Sequence, residues 1–188
     1  MKNKNLLIVI SGPSGVGKGS VIKELLSYLE TIELAISATT RKKREGEEEG
    51  KDYYFFSDDI FDKAIKNDEF IEWCIVHGNR YGTLRKEIRR INNKNKLGLV
   101  EIDTKGANKI KTSFPDALQI FISPPTIAVL EERLKRRKTE SKEDITKRIS
   151  NAKEEIKKIK HYDYVIINDS IFDSSKEIEE IIRKRFNL

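Results

Sequence analysis

Glycines at positions 12, 15 and 17 followed at once by Lys18 form the stretch in this chain most clearly suited to chemistry, Gly12-Pro13-Ser14-Gly15-Val16-Gly17-Lys18-Gly19-Ser20. Glycines let a backbone turn several N–H groups to one concave side, where they can hold the oxygens of a polyphosphate. Lys18 adds a point charge. The apolar run Leu6-Leu7-Ile8-Val9-Ile10 precedes the loop, and Val21, Ile22, Leu25, Leu26 and Leu29 follow at helical spacing. The order is therefore buried strand, glycine loop, lysine, helix, and the helix N-terminus adds its own attraction for phosphate. The hydroxyl that usually follows such a lysine, and reaches magnesium, is displaced by one place: Gly19 comes first and Ser20 second.

The elements that must position this loop follow a simple rhythm. Apolar runs at 6–10, 97–102, 118–122 and 164–167 alternate with helical patterns near 20–30, 84–93, 127–137, 142–159 and 174–186. Such alternation predicts an α/β fold with a doubly wound parallel sheet, whose ligands gather beyond the carboxyl ends of the strands. Residues 11–20, 103–106, 123–126 and 168–170 should then converge. Residues 33–83 break the rhythm with strand candidates at 36–40, 53–56 and 70–73. Asp58-Asp59-Ile60-Phe61-Asp62 opens a helix towards residue 67, its aspartates placed to accept orphan N–H bonds. This stretch reads as a small inserted mixed α+β subdomain.

A chain of 188 residues suits one compact domain. The net charge of +6 accompanies abundant acidic residues, and a small polyanionic ligand explains it as well as nucleic acid does. One cysteine, Cys74, and two histidines, His77 and His161, make neither an internal disulfide nor a structural zinc site, so a reduced, cytoplasmic setting without a transition metal is expected. Five apolar residues behind Met1 are too few for a signal segment or a membrane span.

Several blocks in order resemble the bacterial form of the guanylate kinase family. Beside Gly12 to Ser20 they are Ser37-Ala38-Thr39-Thr40-Arg41-Lys42-Lys43-Arg44-Glu45-Gly46-Glu47, Gly50-Lys51-Asp52-Tyr53, Phe70-Ile71-Glu72-Trp73, Gly78-Asn79-Arg80-Tyr81-Gly82-Thr83, Glu101-Ile102-Asp103, Arg133-Leu134-Lys135-Arg136-Arg137 and Val165-Ile166-Ile167-Asn168-Asp169. The resemblance implies a core of 1–32, 84–132 and 150–188, a GMP-binding subdomain at 33–83 and a mobile helical lid at 133–149. It implies transfer of the ATP γ-phosphoryl group to GMP, with dGMP as a further acceptor, giving ADP and GDP with Mg2+.

By that resemblance, the loop residues Gly12, Pro13, Ser14, Gly15, Val16, Gly17, Lys18, Gly19 and Ser20, with Asn168 near the adenine, bind ATP. Arg41 and Arg44, with the hydroxyls of Tyr53 and Tyr81, hold the GMP phosphate; planar guanidinium forks match phosphate oxygens. Glu72 reads guanine, because one carboxylate accepts from both N1–H and N2–H2 where adenine offers an unprotonated N1. Ser37 and Thr83 complete the base pocket, Glu101 lies against the nucleoside, and Asp103 orients the ribose or magnesium-bound water. Arg133, Arg137 and Arg148 are the lid arginines, with Arg136 as a neighbouring competitor. Magnesium is held mainly by nucleotide phosphates and water, with Ser20 or Asp103 as protein candidates. Lys105 and Lys138 depart from the family pattern, standing where glutamine and glycine are usual. ATP and GMP are the expected partners, with neither nucleic acid nor membrane, and a homo-oligomer is left open. The alternatives are a non-catalytic phosphopeptide-binding module of the same fold and a related kinase with another phosphorylated acceptor. Lys18 and the intact glycines argue against the first; Glu72, Ser37 and Thr83 argue against the second.

Overall fold

The structure, a computed structural model, describes residues 7–76, 78–136 and 141–188. Strands β1 (Leu7–Ser11), β2 (Ile32–Leu34), β7 (Leu97–Glu101), β8 (Leu118–Ser123) and β9 (Tyr164–Ile167) form one sheet in the order β2-β7-β1-β8-β9. Every neighbouring pair is parallel, with Ile8 of β1 facing Leu99 on one side and Leu118 on the other. Helices α1 (Lys18–Tyr28), α3 (Arg85–Asn92), α4 (Thr104–Ser113), α5 (Ile127–Arg136), α6 (Lys142–Ile156) and α7 (Ile171–Phe186) accompany it.

Strand β1 is buried on both faces, and its period of two divides the core. Ile8 and Ile10 join the layer containing Val21, Leu25, Leu130 and Ile178, while Leu7 and Val9 join Ile88, Ile91, Ala107 and Phe121 on the opposite face. Strand β9 differs from the expected fully buried strand. It is the sheet's edge, where only Ile166 is covered and Ile167 remains 59% exposed.

A second sheet, in the order β4-β3-β6-β5, contains β3 (Ser37–Thr39), β4 (Tyr54–Phe55), β5 (Phe70–Val76) and β6 (Asn79–Leu84). Helix α2 (Asp58–Lys66) covers it, with Phe61 stacked on Phe70 at 4.5 Å between ring centroids. Ser57, rather than an aspartate, caps α2 by accepting from the Ile60 N–H, and Asp58 and Asp59 occupy the first turn. The residues after β2 lead directly into this sheet. Because β2 pairs with β7, residues 33 and 34 belong to the parallel sheet, not to the insertion that was expected to start at 33.

Glu87 joins the two sheets. Buried at 1% exposure, it accepts from the Ile36 N–H (3.1 Å), the Tyr54 hydroxyl (2.9 Å) and Arg90, which also pairs with Glu33. A buried carboxylate is stable only when its lone pairs are satisfied, and these donors come from the exit of β2, from β4 and from α3. Arg90 and these contacts hold the Glu87 carboxyl below the usual carboxylate range against its desolvation.

Candidate functional site

One cavity of about 640 Å³ opens at the carboxyl ends of the parallel strands and reaches the small sheet. Gly12, Ser14 and Lys18 line one end; Ser37, Tyr53, Glu72 and Tyr81 line the other.

At the first end the loop is forced by packing as well as by chain pattern. Gly12 has φ +149°, and a Cβ there would stand 2.2 Å from the Ile122 carbonyl oxygen. Gly17, at φ +98°, lies against Asn168. The Lys18 ammonium curls back to donate to the carbonyls of Gly12 (2.7 Å) and Pro13 (3.2 Å). Asn168 is 2% exposed, and its amide donates to the Val16 carbonyl (2.7 Å) while its oxygen accepts from Ser174 (3.1 Å). The Asn168 side chain thus braces the loop from which the expected ATP contacts extend. Ser20 is exposed on the first turn of α1.

At the other end Glu72 on β5 is 5% exposed. Its Oε1 accepts from both the N–H (3.0 Å) and the hydroxyl (2.9 Å) of Thr83, the residue facing it on β6. Its Oε2 is buried and, among the described residues, has no hydrogen-bond partner. Desolvation, set against the two Thr83 bonds and worsened by Asp103, pushes the carboxyl up to about 7. A buried acceptor with no donor is costly to keep. Thr83 itself is wholly buried, and its two bonds orient Glu72. Ser37 is paired in register with Thr83 and reaches the cavity.

The aromatic wall is formed by Tyr53 edge-on to Tyr81, with centroids 6.0 Å apart. Arg41 stacks over Tyr53 at 5.3 Å and forms a two-point pair with Glu47 (2.6 and 3.1 Å). Its guanidinium is therefore held beside the cavity and does not line it. Arg44 is exposed on the same loop, its N–H bound to the same Glu47. Glu101 meets the phosphate loop, its Oε2 lying 3.8 Å from where a Cβ on Gly19 would stand. Asp103 caps α4 by accepting from the Gly106 N–H (2.8 Å) and also accepts from the Cys74 thiol (3.4 Å). That thiol is pushed up by burial and by the neighbouring carboxylates.

Helices α5 and α6 close the third side. Arg133 donates to the carbonyls of Val16 (3.3 Å) and Asp169 (3.4 Å), and Arg148 donates to the Ser14 hydroxyl (2.7 Å). Arg136 points outward, paired with Glu132 one turn earlier. Arg137 and Lys138 lie outside the described residues, as does His77.

The guanylate kinase family model matches residues 4–185. The guanylate kinase of Clostridioides difficile (strain 630) is 46% identical over 184 residues, covering 98% of this chain and 90% of that protein. The chain belongs to the guanylate kinase family. The enzyme of Carboxydothermus hydrogenoformans is 43% identical over 180 residues, covering 96% of this chain and 88% of that one. The solved guanylate kinase of Anaplasma phagocytophilum superposes with a TM-score of 0.77 at 34% identity, covering 98% of this chain and 87% of that one. A shikimate kinase of Bacteroides thetaiotaomicron, at 11% identity and TM-score 0.51, shares the fold alone, with 95% and 98% covered. Membership in the guanylate kinase family makes the chain a phosphotransferase and sets aside the non-catalytic binding module.

In this guanylate kinase, Thr104 and Lys105 line the cavity within the expected 103–106 stretch, whereas sequence reasoning missed Asn151 and Glu155, which line it too. Both come from α6, and their only sequence signal is helical spacing from Arg148, one turn to Asn151 and two to Glu155. Burial raises the Glu155 carboxyl above its usual range, with Lys18 opposing the shift. Among the described residues no group of three or more His, Cys, Asp or Glu side chains could hold a metal ion, and no helix is long and apolar enough to cross a membrane.

Proposed function

We propose that phosphoryl transfer from ATP to GMP, the reaction of the guanylate kinases, runs within this single cavity. ATP phosphates lie on the 12–20 loop and guanine lies on Glu72. The observation that carries this reading is the pairing of Lys18 at one end with a buried, unpartnered Glu72 oxygen at the other. Guanine N1–H and N2–H2 would supply the donors that Glu72 lacks, with Ser37 beside them. dGMP, sharing the same base edge, is a further acceptor.

Two phosphate groups must then approach in line, and the work is positioning and charge neutralisation. Lys18 exchanges two carbonyls for phosphate oxygens. Arg41 and Arg44 exchange Glu47 for the GMP phosphate, with Tyr53 and Tyr81 donating hydroxyls. Arg133, Arg137 and Arg148 cover the transferring group as the segment 133–149 closes. Magnesium suits this site as an ion carried on the ATP phosphates and water, since the cavity offers scattered carboxylates and Asp103 Oδ1 is already engaged. It would neutralise phosphate charge. A cytoplasmic setting fits the buried free Cys74 and the nucleotide substrates.

The direct test is ADP production with ATP, magnesium and each of GMP, AMP, CMP and UMP. Turnover is expected with GMP and not with the other three; equal use of AMP would overturn the guanine assignment. The raised Glu72 pKa adds a signature. Only the carboxylate can accept both guanine donors, so kcat/KM for GMP should fall as pH drops below about 7, approaching tenfold per unit. The GMP phosphate also titrates near 6, so the diagnostic measurement is the part of the profile that disappears in Glu72→Gln.

A further inference from the structure

We infer that Gly106, on α4, sets base specificity by leaving room for the Glu72 carboxylate. Gly106 is the third residue of α4, buried under β5. A Cβ there would stand 2.7 Å from Glu72 Oε2, 3.3 Å from its Cδ and 3.4 Å from Asp103 Oδ1. The crowded atom is the very oxygen that has no partner among the described residues and is read above as the guanine acceptor, and the inference rests on that reading.

Backbone conformation does not explain a glycine here. Gly106 is absent from the residues with positive φ, and the N–H it donates to Asp103 would survive in alanine. Glycine is less favourable than alanine within a helix. Clearance is the remaining role. Glu72 cannot yield without consequence, because Oε1 is tied at two points to Thr83 and both carboxyl oxygens turn together. A methyl group at 106 would push the carboxylate along the base plane or twist it out of that plane. Either movement costs the fold little, since a side-chain end moves rather than backbone, but it spoils a two-donor contact. Gly106 is thus a positioning residue that acts through Glu72.

The test is a double-mutant cycle of wild type, Gly106→Ala, Glu72→Ala and the double variant. It reads melting midpoint, GMP dissociation constant by titration calorimetry, and KM and kcat with GMP and IMP, which lacks the 2-amino group. Gly106→Ala is expected to melt at or above the wild-type midpoint. It should weaken GMP binding and raise KM for GMP at least tenfold, leave KM for ATP within twofold, and lower the GMP/IMP preference. In the Glu72→Ala background the same change should alter GMP binding less than twofold and raise the midpoint by about 2–4 °C. Wild-type GMP affinity in Gly106→Ala beside a clear loss in Glu72→Ala overturns the role of Gly106 alone. Unchanged affinity in Glu72→Ala overturns the reading of Glu72 itself. Should Gly106→Ala unfold by itself, a cooperative melt in the double variant supports the contact and an unfolded double variant overturns it.

Discussion

Lys18→Ala should lower kcat for GMP phosphorylation by at least about 10²–10³-fold, the scale seen when one preorganised charge or donor is removed from a developing anionic centre. The fold should tolerate the change. Lys18 is only half-buried, and the carbonyls of Gly12 and Pro13 to which it donates belong to the same loop. Those carbonyls can be taken up by water once the ammonium is gone. The loop's shape is held independently by the glycine conformations, by Asn168 beneath Val16 and by Ile122 against Gly12. Steady-state kinetics beside a thermal melt decide the matter. Turnover within tenfold of wild type, with the melt unchanged, would remove Lys18 from the mechanism.

Glu72→Gln should act on the acceptor and not on the transfer step. An amide offers guanine one acceptor and one donor, so one of the two guanine donors meets an N–H2 group. Charged hydrogen bonds contribute about 1.5–3 kcal/mol each, and an opposed donor adds to their loss. A fall of about 10²–10³-fold in kcat/KM for GMP, mostly through KM, follows, with AMP gaining relative to GMP because the amide can donate to adenine N1. Stability should move the other way. Burial raises Glu72 to about 7 from an unfolded value of 4.5, so the folded state favours the protonated form. Its contribution is most favourable below 4.5 and is lost as pH rises through 7. At pH 8 the wild type therefore carries a buried charge that glutamine lacks, and Glu72→Gln should melt higher there, with the advantage vanishing towards pH 4.5. A variant that kept GMP selectivity, or lost stability at pH 8, would contradict this account.

Gly106 and Glu72 are matched in the same way. A residue unfavourable to the helix and a carboxylate unfavourable to the core sit side by side, at the place where a ligand donor would satisfy both arrangements. Stability is given up locally where recognition needs it.

Local chemistry was legible in the sequence wherever neighbouring residues supply it. The loop from Gly12 to Ser20, the apolar runs that became β1, β7 and β8, and the basic stretch around Arg133 are short-range patterns of backbone freedom, burial period and charge. Strand β2 and helix α4 escaped it. The first has three residues, and the second begins Thr-Lys-Gly with few apolar positions, so neither shows a readable period; each forms because the sheet or β5 is there to cover it. The same distinction runs through the site. Residue type and order marked Glu72, Thr83, Asn168 and Arg41, but not what each touches. Only tertiary packing turned Thr83 onto Glu72, sank Asn168 beneath the loop, tied Arg41 to Glu47 and brought Gly106 against a carboxylate 34 positions earlier (106 − 72). Those outcomes depend on which strands pair and how closely helices approach them, and such long-range contacts leave no periodic trace along the chain.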